Sequence, residues 1–390
     1  MAKWLNRNIA AMGFTSLFSD FSHEMTTVVL PTFLTSLGGS PATLGFIEGV
    51  ADAATSFMKF LAGWYSDVIK RRKPFATLGY ALTAIGVGLL AIATRWQHVL
   101  VDRAVAWAGK GLRKPPRDAL LVESTQPAYY GRVFGFHRAM DTIGGVLGPA
   151  CAYLLINYVS LRTLFMIAFI PGVLSVIGML LVKEPATHHK EEKKFEGSRL
   201  KQLPATFRIF CAAVGFYGVG KFADSMLILR ATQLMTPAYG LLGASSTVIL
   251  LYIARNVMYA SLSYPVGALA DRIGKRMVLV FGYLFAALAS VGLMFPYSGI
   301  MWLALLFALI GLSLAITDGL EKGVAADLIP SHVLGTGYGM LAMINGVTAF
   351  ISSSLIGFLW ANVSAIAGFG LSAGAFLMAA IVVAFFVRGD

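Results

Sequence analysis

The sequence predicts an all-α membrane protein with twelve transmembrane helices in two pseudo-symmetric six-helix bundles. Three observations carry this reading. Hydrophobic residues make up 57% of the 390-residue chain and charged residues only 13%, about half the charged share of a soluble domain, so most of the surface must face something other than water. Apolar runs of about 20 residues or more recur along almost the whole chain, the length a helix needs to cross a bilayer while satisfying its own backbone. Loop motifs and intramembrane polar residues then return at an offset of 204 residues. Strand-type alternation is absent, which argues against a membrane barrel.

Taken in order, the spans fall at residues 8–37, 42–68, 74–94, 97–124, 130–158, 161–183, 205–236, 243–270, 275–296, 298–327, 333–361 and 364–388. Several exceed the minimum length and must tilt or project beyond the bilayer. The first run, Ile9 to Leu34, is too long for the apolar part of a signal peptide and ends without a clean cleavage site, so it stays as the first span. Lys183 to Lys201 is a mixed-charge stretch without apolar periodicity and reads as a linker. The domains are therefore a first bundle over 1–183, a cytoplasmic linker over 184–203 and a second bundle over 204–390. Cys151 and Cys211 sit in apolar runs of different halves and read as reduced packing residues.

The formal charge of +12 does not indicate nucleic acid. The basic residues cluster in short segments between spans, as the positive-inside rule requires. Lys70-Arg71-Arg72-Lys73, the central linker and Arg272 with Lys275-Arg276 share one side, whereas Gly38-Gly39-Ser40-Pro41 and Pro296-Tyr297-Ser298-Gly299 are uncharged. The basic side is cytoplasmic, so both termini lie inside. The main exception is the connection from span 3 to span 4, which places Arg95 and Asp102-Arg103 outside.

In the repeat, Gly63-Trp-Tyr-Ser-Asp67 lies over Gly267-Ala-Leu-Ala-Asp271, Gly131 over Gly335 and Gly135 over Gly339. Asp20 lies over Asp224, Asp52 over Asn256 and Asp141 over Asn345. The segment Gly267-Ala-Leu-Ala-Asp271-Arg272-Ile-Gly274-Lys275-Arg276 resembles the signature loop between spans 8 and 9 of the major facilitator superfamily. The first-half copy is looser, because no glycine follows Asp67. Glycine permits close helix approach, and an aspartate at a helix end can engage a neighbouring helix N-terminus or arginine as a latch. Gly63, Asp67, Gly267, Asp271 and Arg272 are thus gating candidates, with Arg117-Asp118 as a further cytoplasmic gate element that meets Asp67. Pro115-Pro116 removes two backbone donors and predicts a distortion in span 4.

Span 5 carries Gly144-Gly145-Val-Leu-Gly148-Pro149, which resembles the glycine-proline motif of antiporter branches. Leu44-Gly-Phe-Ile-Glu48-Gly-Val-Ala-Asp52, Gly109-Lys110-Gly111-Leu-Arg113, Pro116-Arg117-Asp118 and Phe134-Gly-Phe-His137-Arg138-Ala-Met-Asp141 resemble a bacterial permease branch that includes nickel-resistance exporters. The second half follows more loosely through Asp318-Gly-Leu-Glu321-Lys322. The chain departs from that branch at Ala106-Trp107, where the resemblance predicts an Asp-Arg pair. The resemblance implies a transporter of a bacterial-type inner (plasma) membrane, with its substrate site near the midplane.

Ionisable groups inside spans are costly and point to function. Asp20, His23 and Glu24 share one face of span 1 at i, i+3 and i+4, with Asp20 ~18 Å from its cytoplasmic start. Glu48 and Asp52 repeat the spacing in span 2, and His137 and Arg138 reach Asp141 in span 5. Three readings of these groups stand. A carboxylate near another carboxylate or a low-dielectric wall holds its proton more tightly and can exchange it near neutral pH. Asp20, His23 and Glu24 also supply ligands suited to a divalent transition metal. Alternatively, the acids pair with Lys59, Lys110, Arg113 and Arg138 and hold helices together. Those cations, with Lys221, Arg230 and Arg255, equally suit an anionic substrate or metal chelate. Lys221 with Asp224, and Asp318 with Glu321 and Lys322, read as mutual ion pairs.

The expected protein is not an enzyme, and no Gly-x-x-x-x-Gly-Lys-Ser/Thr occurs to bind a nucleotide. It is expected to need no cofactor beyond H+ as coupling ion. It works as a monomer in the lipid bilayer on a small-molecule or ion substrate, with no nucleic-acid partner. The function expected is proton-coupled secondary transport of a small polar or charged solute by alternating access. The alternatives are divalent transition-metal export of the iron or nickel type, or transport of a metal chelate or organic anion.

Overall fold

A computed structural model describes residues 5–69, 71–126, 129–184, 203–330 and 334–387. All regular elements among the described residues are helical. They are α1 (Arg7–Ser36), α2 (Pro41–Ile69), α3 (Lys73–Leu89, extended by a 3-10 turn at Leu90–Ile92), α4 (Trp96–Glu123), α5 (Tyr130–Leu155) and α6 (Leu161–Leu180). There follow α7 (Ala205–Gly220), α8 (Asp224–Ile273), α9 (Lys275–Met294), α10 (Ile300–Leu328), α11 (Leu334–Asn362) and α12 (Ala365–Phe386). Local chemistry sets several boundaries. The side chain of Asn6 accepts the Ile9 amide at the start of α1, and Ser160 and Ser364 do the same for α6 and α12. Gly274, at φ 100°, separates α8 from α9.

Span 7 differs from its expected continuous form. It stops at Gly220, passes through Lys221–Ala223 without helical structure and resumes as α8 at Asp224. The long α8 is in turn two helices, joined where Gly240 takes the non-helical angles φ 68° and ψ 168°. Helix α4 runs through Pro115 and Pro116 without a break. Asp102 and Arg103 lie inside α4 and are buried, not in an outer loop. The linker expected over 184–203 lies, apart from its end residues, outside the described residues.

Seven stretches among the described residues are long and apolar enough to cross a membrane. Helices α1, α2, α4 and α5 are not among these seven. Each of these four carries ionisable residues along its length, which lower its apolarity.

The described residues form two compact units. One gathers those of Met1–Ser40, Val50–Lys190 and Tyr239–Ile253; the other gathers those of Pro41–Gly49, Glu191–Ala238 and Ala254–Asp390. In the first unit α1 packs on α5 and α6, and α3 packs on α4 and α6. Gly144 and Gly148 of α5 bring α1 close: a Cβ at either would fall 2.3 Å or 2.4 Å from the carbonyl oxygen of Leu17 or Phe21. In the second unit α9 packs on α10 and α12, and α7 on α11 and α12. Its core includes Phe207, Phe210, Val214, Tyr283 and Ala379. Burying such a side chain contributes about 1.5–3 kcal/mol where the alternative is water; within lipid, close packing and hydrogen bonding carry the association.

Corresponding clamps hold helix ends in the two units, with their acceptors in the 204-residue register and their basic residues one position off it. Arg72 pairs with Glu123 at 3.2 Å, and Lys275 pairs with Asp327 at 3.0 Å. Lys73 Nζ donates to the Leu180 carbonyl at the end of α6 at 2.8 Å, and Arg276 donates to the Val383 and Ala384 carbonyls at the end of α12. Glu123 and Asp327 are 204 residues apart, as are Leu180 and Ala384. The basic clusters therefore clamp helix ends, where cations also meet the negative end of the helix dipole.

Candidate functional site

Helix α4 is wedged by two glycines that face different neighbours. A Cβ on Gly109 would lie 2.5 Å from the Gly79 carbonyl oxygen of α3, and one on Gly111 would lie 2.3 Å from the Thr55 carbonyl oxygen of α2. Lys110, between them, is directed to α1, where its Nζ lies 3.2 Å from His23 Nε2. Trp107, one turn earlier, receives His23 at a ring separation of 4.2 Å. The Arg103 guanidinium lies 3.5 Å from the centroid of the Trp107 ring. Cation–π contact of this kind strengthens when desolvated, and Arg103 is only 2% exposed.

One turn further along α4, Arg113 lies 3.6 Å from Asp20 and donates to Ser19. Asp141 of α5 accepts from Ser16 and lies 3.5 Å from His137 Nδ1. Glu24 lies 3.9 Å from His23 and accepts from the Tyr252 hydroxyl at 2.8 Å. The first unit thus holds a chain of carboxylates, histidines, hydroxyls and cations between α1, α4, α5 and the 239–253 stretch of α8. Such a chain can hold or pass protons, and its cations can also receive an anion.

The metal set Asp20, His23 and Glu24 does not form as expected. Asp20 turns to Arg113, Glu24 to Tyr252, and the His23 Nε2 that would bind a cation faces the Lys110 ammonium. No group of three or more possible metal ligands occurs among the described residues. Arg138 is exposed, while Asp52 and Lys59 are half-buried on α2.

Glu48 belongs to the second unit, where it is 3% exposed and accepts from Ser225 Oγ at 2.9 Å. Lys221 and Asp224 do not make the expected exclusive pair. Asp224 instead receives two bonds from Arg255, at 2.7 Å and 3.0 Å, and Arg255 also donates to Asn256. Lys221, Asp224, Arg255 and Tyr217 line a cavity of about 40 Å³ with Ser290 and Ser313. Arg230 caps the end of α9 through the Leu293 and Met294 carbonyls. Asp318 accepts from Tyr259 at 2.6 Å and Glu321 from Tyr283 at 3.1 Å.

The gating candidates are placed differently from expectation. Among the described residues the close approach expected at the signature glycines is not seen: no described heavy atom lies within 4 Å of a would-be Cβ on Gly267, and the nearest to one on Gly63 is Pro115 Cβ at 4.0 Å. Asp271 and Arg272 are exposed at the end of α8. Arg117 donates to its neighbour Asp118 at 2.7 Å and 3.0 Å; the Asp67 side chain lies outside the described residues. Sequence reasoning missed Arg103, Tyr252, Ser16 and Ser19. Only Arg103 carried a signal, as an arginine inside an apolar run; the other three are ordinary helix residues until a partner is known.

Apolar helices in two compact units, with ionisable side chains buried along them, define a multi-pass membrane protein. The chain belongs to the Major Facilitator Superfamily, whose profile matches residues 12–255 and 222–390. It is similar to an uncharacterized MFS-type transporter of Methanocaldococcus jannaschii, with 32% identity over 91% of this chain and 89% of that protein. A probable 4-methylmuconolactone transporter of Cupriavidus pinatubonensis is 22% identical over 81% of this chain and 74% of its own length. Among solved structures, the nucleoside transporter NupG matches with a TM-score of 0.82 at 15% identity, covering 97% of this chain and 98% of its own. A D-xylose–proton symporter matches with a TM-score of 0.73 at 14% identity, covering 98% and 97%.

Proposed function

We propose that this chain is a proton-coupled secondary transporter, which moves a small polar or charged solute by alternating access. The observation that carries the reading is the linked set in the first unit: Asp20 with Arg113 and Ser19, and Asp141 with His137 and Ser16. A carboxylate that shares a buried site with a cation and a histidine changes the local charge balance when it takes a proton, which is the physical requirement for coupling. The proton-coupling residues proposed are Asp20, Glu24, Glu48, Asp52 and Asp141. Two six-helix bundles, 1–183 and 204–390, joined by a cytoplasmic linker, complete the proposal. Both termini are cytoplasmic, and the chain acts as a monomer in a bacterial-type inner membrane.

An organic anion or an anionic metal chelate is the second reading, favoured by Arg103 and Lys110 around Trp107. The sequence resemblance to nickel-resistance exporters supports a metal cargo, whereas Lys110 against His23 opposes a bare cation at that point. Purified protein in proteoliposomes, assayed with divalent metals, metal chelates and organic anions with and without a pH gradient, separates these readings. We expect flux that follows the gradient and loses that dependence in Asp20→Asn. Flux indifferent to the gradient, or unchanged coupling in Asp20→Asn, sinks the proton mechanism; binding without metal sinks the metal reading.

A further inference from the structure

We propose that the cavity within the second unit is a binding site for a short-chain monocarboxylate, with Lys221 and Ser313 as its donors. The inference rests on the organic-anion reading of the cargo and gives it a place and a chemical class. Its test is equilibrium binding, so a failure of the site and a failure of that reading are told apart.

The cavity is walled by α7, the break after it, α8, α9, α10 and α12, and every lining residue belongs to the second unit. Helix α7 stops at Gly220, so Lys221 and Phe222 enter the wall on non-helical backbone. Helix α8 starts beside them, with Asp224 and Leu227 of its first turn in the lining. Two serines of α11 fix the break. The Ala223 amide donates to Ser353 Oγ at 3.2 Å, and the Lys221 carbonyl accepts from Ser352 Oγ. Lys221, itself exposed, therefore keeps its place in the cavity wall and leaves the site open to a solute.

The lining carries three charged residues, Lys221, Asp224 and Arg255. Asp224 accepts two bonds from Arg255, at 2.7 Å and 3.0 Å, and those two charges offset each other. The Lys221 ammonium is left over, so the net charge of the lining favours an anion. The acids of α10 do not line the cavity: Asp318 accepts from Tyr259 and Glu321 from Tyr283. A second donor is Ser313 Oγ. The residue is 2% exposed and lines the cavity, and its hydroxyl makes no hydrogen bond of ordinary geometry among the described residues. A buried hydroxyl in that state calls for a partner, which a ligand oxygen supplies. Ser290, by contrast, already donates to the Ala286 carbonyl at 2.9 Å.

Two donors of different kind suit the two oxygens of a carboxylate, one on the ammonium and one on the hydroxyl. Leu227, Ile310 and Leu314 in the same lining suit a methyl group. A cavity of about 40 Å³ holds about three water-sized groups. That is the size of formate or acetate, and an aromatic ring exceeds it.

Equilibrium binding of radiolabelled acetate to the full chain in nanodiscs, in a buffer free of chloride and other carboxylates, tests this. Wild type should bind acetate, and Lys221→Gln should weaken binding about tenfold or more, the effect of losing a hydrogen bond between charged groups. Ser313→Ala should weaken it about fivefold. Formate should compete, whereas chloride and benzoate should compete about tenfold less well. No binding by wild type, unchanged affinity in either variant, or chloride or benzoate competing as well as acetate overturns the proposal. Should Lys221→Gln fail to fold, Ser313→Ala decides alone. Loss of binding in Lys110→Gln with Lys221→Gln unchanged places the anion in the first unit and also overturns it. Binding that depends on Lys221 and Ser313, without acetate flux in proteoliposomes, supports the site and sinks only the organic-anion reading of the cargo.

Discussion

Gly111→Ala tests whether two-sided glycine packing positions Lys110. The new methyl group would stand 2.3 Å from the Thr55 carbonyl oxygen, 2.9 Å from Met58 Cβ and 3.0 Å from the Thr55 carbonyl carbon. Ordinary contacts between such atoms begin at about 3.5 Å, so α2 and α4 must part by about 1 Å. Overpacking of this kind costs about 1–3 kcal/mol, and replacing a helical glycine returns up to about 1 kcal/mol. Gly131→Ala supplies the reference, because its Cβ would meet no described residue within 4 Å and the helical gain alone is expected. The two variants should differ by about 2 kcal/mol, which for a unit of this size is about 4–8 °C in Tm. The assay is thermal unfolding of the purified proteins, followed by intrinsic tryptophan fluorescence. The same separation shifts α4, and Lys110 with it, so transport by Gly111→Ala should fall with its stability. Equal Tm values for the two variants, to within about 1 °C, would falsify the tight α2–α4 seam and the placement of Lys110 drawn from it.

Other perturbations reach different parts of the molecule. Asp224→Asn removes the bidentate partner of Arg255, whose side chain is only 4% exposed. Breaking a buried pair costs about 3–5 kcal/mol, but Asp224 is 40% exposed, so screening reduces the expected loss to about 1–2 kcal/mol. Asp224→Asn combined with Arg255→Gln should recover part of it in the same thermal assay, and a double variant less stable than both singles would argue against direct pairing. Arg230→Ala uncaps α9 and should cost about 1 kcal/mol while leaving transport per folded molecule unchanged; a selective loss of transport would return Arg230 to the substrate pathway. Arg276→Ala, which frees the end of α12, should raise deuterium uptake in peptides ending near Phe386 more than Arg72→Ala does near Glu123, because it removes two carbonyl contacts whereas the Arg72 side chain makes a partly exposed ion pair. Equal protection in wild type and Arg276→Ala would contradict that cap.

What the sequence determined by itself is what depends on short stretches of chain. Apolar run length specifies a spanning helix wherever it occurs, and the 204-residue offset marks equivalent places in the two halves. The acidic partners of the helix-end clamps follow that offset, since Glu123 and Asp327 meet the basic starts of α3 and α9. The glycines of α5 also packed as small residues in membrane helices should.

The partners of the buried charges were decided only by tertiary structure. Asp20 and Asp224 are equivalent in the repeat, yet Asp20 meets Arg113 of α4 and Asp224 meets Arg255 of α8. The place equivalent to Arg113 is Thr317, and the place equivalent to Arg255 is Ala51. Neighbours along a helix suggested Lys221 for Asp224, and Asp20 with Glu24 for a metal, because i+3 and i+4 spacing is all that one helix reveals. A long side chain reaches across to another helix as readily as along its own, and the contact between Asp20 and Arg113 joins residues far apart in the chain. The break in span 7 has the same origin. Gly220 marks where the helix stops, but Ser352 and Ser353, distant in sequence, supply the hydrogen bonds of the break. Helix identity is a local property of the chain, whereas the pairing of charges within the bundles is a property of how those helices pack.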